Sequence, residues 1–266
     1  SPAPSSSRKC TQHCRIRLCS GDMPAKYQLE TIPVWDALNE GSECILCTLE
    51  VESERRNTEF FLGSSIMAPE MRVEVNRRGF CPRHFHMLLG GSGKLGYSLA
   101  LNTHRQAVLT RFEALARKLP AAGGKRGAAE RTVGALNAML ADLHDDCLMC
   151  DRVRHNLLNY TYTVVKLFET ESEFREAFAA SRGVCLHHLP LLLRLGVTQL
   201  RGAALRQWHE TVVEVQERTL RGLGEELEQF SWQFDYQSSR KTPAHAQDSV
   251  ARTVRKLAGY GPQRLP

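Results

Sequence analysis

At 266 residues, with 42% hydrophobic and 24% charged side chains, the chain can fold around an apolar core without metal or disulfide staples, as one large domain or two smaller ones. No run approaches the roughly 18–20 apolar residues that cross a bilayer, and the Ser- and Arg-rich stretch from Ser1 to Asp22 lacks the apolar centre of a secretory signal. The net charge of +6 divides into +4 over residues 1–26, +5 over residues 236–266 and −3 between them, which argues against a nucleic-acid surface on the core.

The expected setting is therefore cytoplasmic and reducing, where spaced cysteines serve as metal ligands or redox groups more often than as disulfides. Residues 1–26 read as a disordered basic tail. Cys10, His13, Cys14 and Cys19 fall there, with no apolar periodicity to hold a site together. Met23, just before the patterned region, marks a candidate native start.

From Ile32 onward the pattern is helical, with no sustained period-two alternation. A short helix is expected around Pro33–Asn39. Ser42 is a candidate N-cap for a helix carrying Cys44 and Cys47 in its first turn and ending at Gly63. Pro69 to Arg78 forms the next helix, stopped by Gly79. Another opens at Cys81, with Pro82 at an early position where a missing N–H does no harm. Leu95, Leu99, Val108, Phe112, Leu115 and Leu119 mark a longer helix by their three- and four-residue steps. The Gly-rich run Pro120–Gly127 marks a linker, placed at 121–128.

The order then recurs. A helix over 129–143 precedes Cys147 and Cys150, which open a helix reaching Phe168. Ser172 is a candidate cap for a short piece to Ala180, Gly183 breaks it, and Cys185 is expected to begin the next helix. Leu205, Trp208, Val212, Val215, Leu223, Leu227 and Phe230 define the stripe of a long helix, in which Trp208 and nearby Trp232 read as packing residues. An amphipathic stretch, Ser249–Ala258, closes the pattern. The fold class is all-α, with two degenerate helical repeats over 27–120 and 129–235 forming one bundle-like protein and a C-terminal extension over 236–266.

The chemistry lies in a duplicated constellation. Cys44-Ile-Leu-Cys47 is followed by Gly79-Phe-Cys81-Pro-Arg-His84, and Cys147-Leu-Met-Cys150 by Gly183-Val-Cys185-Leu-His-His188, with the halves offset by 103 and 104 residues. Each half carries three sulfurs and one imidazole, the inventory of a Cys₃His zinc site. The expectation is that Cys44, Cys47, Cys81 and His84 close one tetrad, and Cys147, Cys150, Cys185 and His188 the other. Helix starts favour thiolate over thiol, and Arg83 stands beside the first site to help offset its charge.

The expected cofactor is zinc, two ions in closed structural sites. An iron–sulfur cluster and a thiol-redox pair use the same residues, and buried apolar cysteines would need no metal at all. His188 aligns with His84, whereas His187 points elsewhere. His86, His144, His155 and His209 have no repeated counterpart and read as surface or packing residues, and His104 reads as a buried, hydrogen-bonded histidine. Gly90-Gly-Ser-Gly-Lys94 fails as a phosphate loop, because Leu88 stands for the first glycine and Leu95 for Ser/Thr. Asp151 after Cys150 rules out haem attachment, and no catalytic constellation is found.

The run from Leu62 through Gly79-Phe-Cys81-Pro-Arg-His84 to Phe85, together with Leu95-Gly, Thr103-His104, Phe234-Asp-Tyr236 and Leu257-Ala-Gly-Tyr260, resembles a bacterial family of uncharacterised domain-of-unknown-function proteins over roughly 28–260. Where that family reads Phe-Asp-Tyr-Arg, this chain has Gln237 in place of the arginine. The resemblance implies a helical cytoplasmic protein with paired Cys/His motifs and supplies no reaction or partner. The expected role is a binding or regulatory module with a protein or small-molecule partner, away from the membrane and without a nucleic-acid site on the core.

Overall fold

The computed structural model describes residues 27–121, 124–234 and 242–260, and every described element is helical. The N-terminal cysteines Cys10, Cys14 and Cys19 with His13, and the Asp235–Gln237 run, lie outside the described residues. No helix among those described is long and apolar enough to cross a membrane.

Helix α1 (Tyr27–Asn39) begins earlier than the sequence suggested and carries Pro33 inside it. Val34, Ala37 and Leu38 are buried, so packing holds the helix past its proline. α2 (Ile45–Leu62) follows, then a 3₁₀ turn over Ser64–Met67, α3 (Pro69–Arg78) and α4 (Pro82–Gly90). The Gly-rich loop after α4 is explained by packing, since a Cβ on Gly91 or Gly93 would collide with Leu62.

α5 (Lys94–Ala116) buries a different face from the expected stripe. Tyr97, Ala100 and His104 are its buried residues, while Leu95 is 76% and Phe112 44% exposed. Both faces have helical spacing, and polar partners decide between them. The Tyr97 hydroxyl donates to the Phe85 carbonyl at 3.0 Å, and His104 Nδ1 donates to the Asn76 carbonyl at 3.3 Å. His104 is thus buried and hydrogen-bonded as expected, and burial lowers its proton affinity.

α6 (Lys118–Ala121) and α7 (Arg126–Asp145) extend into the linker expected at 121–128, with α7 opening at Arg126 rather than 129. α8 (Leu148–Thr170), α9 (Ser172–Ala180), α10 (Leu189–Gln199), α11 (Gly202–Ser231) and α12 (Ser249–Ala258) complete the order. Glu171, not Ser172, stands at the N-cap of α9. α10 also starts later than expected, since Cys185 sits before a turn and the helix opens at Leu189. The proline position explains this: Pro82 directly follows Cys81, whereas Pro190 lies five residues after Cys185 and fits the first turn of α10.

α2 and α8 form the central pair and run antiparallel, with Thr58 near Met149, Asn57 on Arg152 and Ser53 on Asn156. Two apolar cores flank this pair. One joins α1 and the start of α2 to the end of α8 and to α9, α10 and α11, around a fully buried Trp208 packed on Phe168 and Phe178. The other joins the end of α2 to α3, α4, α5 and the start of α8, around Phe61 and Phe80. Each core therefore draws on both parts of the sequence.

Candidate metal centres

The first cysteine of each C-x-x-C pair is a helix N-cap. Cys44 Sγ accepts from the Cys47 N–H at 3.3 Å, and Cys147 Sγ from the Cys150 N–H at 3.4 Å, so the orphan donors and positive end of each helix face sulfur. Each G-x-C-x-x-H turn then docks on a helix start from the other part of the chain. The Gly183 carbonyl accepts from Ile45 N–H at 3.2 Å, and the Gly79 carbonyl from Leu148 N–H at 3.2 Å. Both glycines sit at positive φ, 70° and 71°. A Cβ would meet the His104 ring at 2.5 Å from Gly79, and Val215 at 2.8 Å from Gly183.

The consequence is a crossed pairing. Cys44, Cys47, Cys185 and His188 form one tetrad, and Cys81, His84, Cys147 and Cys150 the other, with the donor atoms of each within 4.8 Å of one another. The expectation that each half closes its own tetrad is corrected, although the eight residues are those the motifs singled out. The antiparallel run of α2 and α8 gives the reason. Cys147 and Cys150 open α8 beside the later part of α2, near Thr58 and Asn57. The Gly79 carbonyl, accepting from Leu148 N–H, and Glu54, facing His84, hold the Cys81–His84 turn at that same place.

In the first tetrad, His188 Nδ1 lies 3.5, 3.3 and 3.5 Å from the sulfurs of Cys44, Cys47 and Cys185, and the Cys47 and Cys185 sulfurs are 3.6 Å apart. In the second, His84 Nδ1 lies 3.2, 3.3 and 3.3 Å from Cys81, Cys147 and Cys150, and Cys81 is 3.8 Å from Cys150. Both groups can hold a metal ion. His187 is exposed and outside the tetrad, as its register implied.

Sequence reading missed the carboxylates behind the imidazoles. Glu54, on α2 and buried, faces His84 Nε2 at 2.8 Å, and Glu50, one turn earlier, faces His188 Nε2 at 3.5 Å. Nε2–H donation to a carboxylate leaves the Nδ1 lone pair for the sulfur-lined side, the tautomer a metal requires. Arg83, expected beside thiolate, instead pairs with Glu54 at 2.6 Å. In the sequence both carboxylates stand close to Glu52 and Glu59, with no signal to separate them.

The donors polarise one another. Burial opposes a charged imidazole at both histidines. Hydrogen bonds donated to the Cys147 thiolate and to Glu54 nevertheless raise His84 to about 10, and those donated to Cys185 and Cys44 raise His188 to about 10. Hydrogen bonding with Cys150 is the main influence holding Cys147 down to about 3, and the same contact pushes Cys150 up. Cys185 is lowered, chiefly by Cys44, while Cys47 is raised, chiefly by Cys185.

Comparison with curated proteins and with solved structures gives no match. A model of a family of unknown function, DUF6062, matches residues 25–264, which include the whole of the described helical body. The crossed Cys/His tetrads and their supporting helices thus fall inside the matched region, and the chain belongs to the family of unknown function DUF6062.

Proposed function

We propose that the protein is a zinc-stabilised helical scaffold, a binding or regulatory module of the cytoplasm in which two structural Cys₃His sites tie the 27–120 and 129–235 parts together. One observation carries this reading: each histidine turns one nitrogen to three sulfurs and the other to a carboxylate. Zinc bonds of about 2.3 Å to sulfur and about 2.0–2.1 Å to nitrogen imply tetrahedral edges of roughly 3.8 Å between sulfurs and 3.5 Å between sulfur and nitrogen. The sulfur pairs at 3.6 and 3.8 Å and the nitrogen–sulfur distances of 3.2–3.5 Å agree with those edges. Four protein donors leave no coordination position for water or substrate, which favours a structural ion over a catalytic one. An iron–sulfur cluster spreads its ligands over separate irons, and donors gathered this tightly suit one ion better.

Elemental analysis of protein purified without added metal tests the proposal. About two zinc ions per chain are expected, and chelation should lower the melting temperature. Iron with visible absorbance would replace zinc by a cluster. Absence of metal, with reversible loss of thiols on mild oxidation, would favour thiol-redox chemistry.

A further inference from the structure

The two tetrads are covered differently. The C-terminal part of α12, with Gly259 and Tyr260, lies across the first. Gly259, at φ 82°, brings the backbone close enough that a Cβ there would lie 3.5 Å from both the Cys47 and Cys185 sulfurs. The Tyr260 N–H donates to Cys47 Sγ at 3.5 Å. Arg252 anchors the strap between Glu43 at 2.6 Å and Glu226 at 2.7 Å. Lys256, fully buried, donates to Gln216 Oε1 at 3.0 Å and to the Arg182 carbonyl. All three cysteines beneath are at most 1% exposed. At the second tetrad Cys147 is buried, but Cys81 and Cys150 each keep part of their surface in solvent. Their sulfurs lie 3.8 Å apart and come from different elements, the cap of α4 and the first turn of α8.

We propose that Cys81 and Cys150 form a peroxide-responsive pair, whose oxidation to a disulfide releases the ion of the second tetrad while the strapped tetrad keeps its own. The inference rests on the metal-binding reading above and deepens it into a form of regulation. One thiolate attacks hydrogen peroxide. The O–O bond breaks, an S–O bond forms and hydroxide leaves, giving a sulfenic acid. The second thiolate attacks that sulfur, the S–S bond forms, the S–O bond breaks and a second hydroxide leaves. Two electrons pass from the sulfurs to peroxide, and the two hydroxides become water by taking protons from solvent. The sulfurs approach from 3.8 Å to about 2.05 Å. Cys147 and His84 alone then remain as ligands, too few to retain the ion. Exposure governs which thiolates small oxidants reach, and that points to this edge first.

The test uses the full chain with its metal content measured beforehand. Hydrogen peroxide is added stepwise, released zinc is followed with a chromogenic chelator, and disulfides are mapped by mass spectrometry after alkylation. One equivalent should leave together with a Cys81–Cys150 linkage, and the second at least about tenfold more slowly, with Cys44, Cys47 and Cys185 still reduced. Simultaneous loss of both ions, a first disulfide among Cys44, Cys47 and Cys185, or persistent reduction of Cys81 and Cys150 would overturn the inference. Starting material without metal would instead defeat the metal reading, and the order of thiol oxidation would still decide whether this pair reacts first.

Discussion

The Asn156 side chain donates to Ser53 Oγ at 2.9 Å where α8 crosses α2, and the two residues are 103 apart, the same offset that separates Cys44 from Cys147. The bond belongs to a polar seam. Asn57 Nδ2 donates to the Ser53 carbonyl at 2.8 Å, and Arg152 Nε donates to Asn57 Oδ1 at 2.8 Å while its guanidinium lies 4.2 Å from the Phe60 ring centroid. Ser53 and Asn57 are both buried, so slipping the helices would leave their polar groups unpaired. The seam lies between the two tetrads and fixes which helix start meets which G-x-C-x-x-H turn.

Crossed and within-half pairing make opposite predictions for double variants. Cys44→Ser and Cys185→Ser remove ligands from one tetrad, so either single change and the pair together should each leave about one zinc per chain. Cys44→Ser with Cys81→Ser removes a ligand from each tetrad and should leave none. Zinc per chain, measured after gel filtration, reads this directly. If Cys44→Ser/Cys81→Ser keeps one ion and Cys44→Ser/Cys185→Ser keeps none, the pairing described here is wrong.

The eight Cys and His residues were legible because a three-residue spacing within one turn is a local property, and so were the all-α class and the helix ends marked by Gly63 and Gly79. The pairing was not, because it depends on α2 and α8 being antiparallel, which no motif encodes. Glu50 and Glu54 sit among charges that look alike until the helix is packed. The buried face of α5 was misassigned because Leu95, Leu99 and Phe112 keep helical spacing as well as Tyr97 and His104 do. Packing of Tyr97 and Ala100 into the core around Phe61 and Phe80, together with the long-range hydrogen bonds, distinguishes the two faces. The late start of α10 follows from Pro190, a signal present in the sequence.

Glu54 should matter more than Glu50. Its carboxylate is buried and 2.8 Å from His84, whereas Glu50 is 43% exposed and 3.5 Å from His188. A carboxylate that orients a ligand histidine is worth roughly 10- to 100-fold in metal affinity. Glu54→Gln should therefore weaken the second site by about that factor, and Glu50→Gln should weaken the first by less. Chelator competition on each variant measures both. Equal losses would mean the carboxylates do not act through the imidazoles.

Gly79 and Gly183 should be the least replaceable glycines near the sites. Alanine at either position meets both a positive φ and a neighbour, His104 at 2.5 Å or Val215 at 2.8 Å. Gly41 shares the positive φ, 65°, but faces open space. Gly41→Ala should cost about 1 kcal/mol, and Gly79→Ala and Gly183→Ala clearly more. Thermal unfolding of the three variants orders them. Similar melting temperatures would show that the neighbours yield without cost.

Metal affinity should rise steeply with pH. Before metal binds, His84 at about 10 and the raised Cys150 both carry protons at pH 7, as do His188 at about 10 and the raised Cys47. A metal ion takes only the deprotonated forms, so each site must release at least these two protons. Proton release on binding means that affinity increases as pH rises and decreases as it falls. The logarithm of the association constant should thus climb by at least about 2 per pH unit at each site between pH 6 and 8. The imidazolium–thiolate pairing works in the opposite direction. Because each histidine is raised above its ordinary value, that contribution to the metal-free fold is complete below pH 6.5 and is lost as pH rises through about 10. Acid should therefore favour the protonated, metal-free donors over the metal-bound tetrads. Competition titrations against a chelator of known proton affinity, run at several pH values, measure the slope. A slope near zero would mean that the donors are already deprotonated at neutral pH, and the polarised tetrads described here would be ruled out.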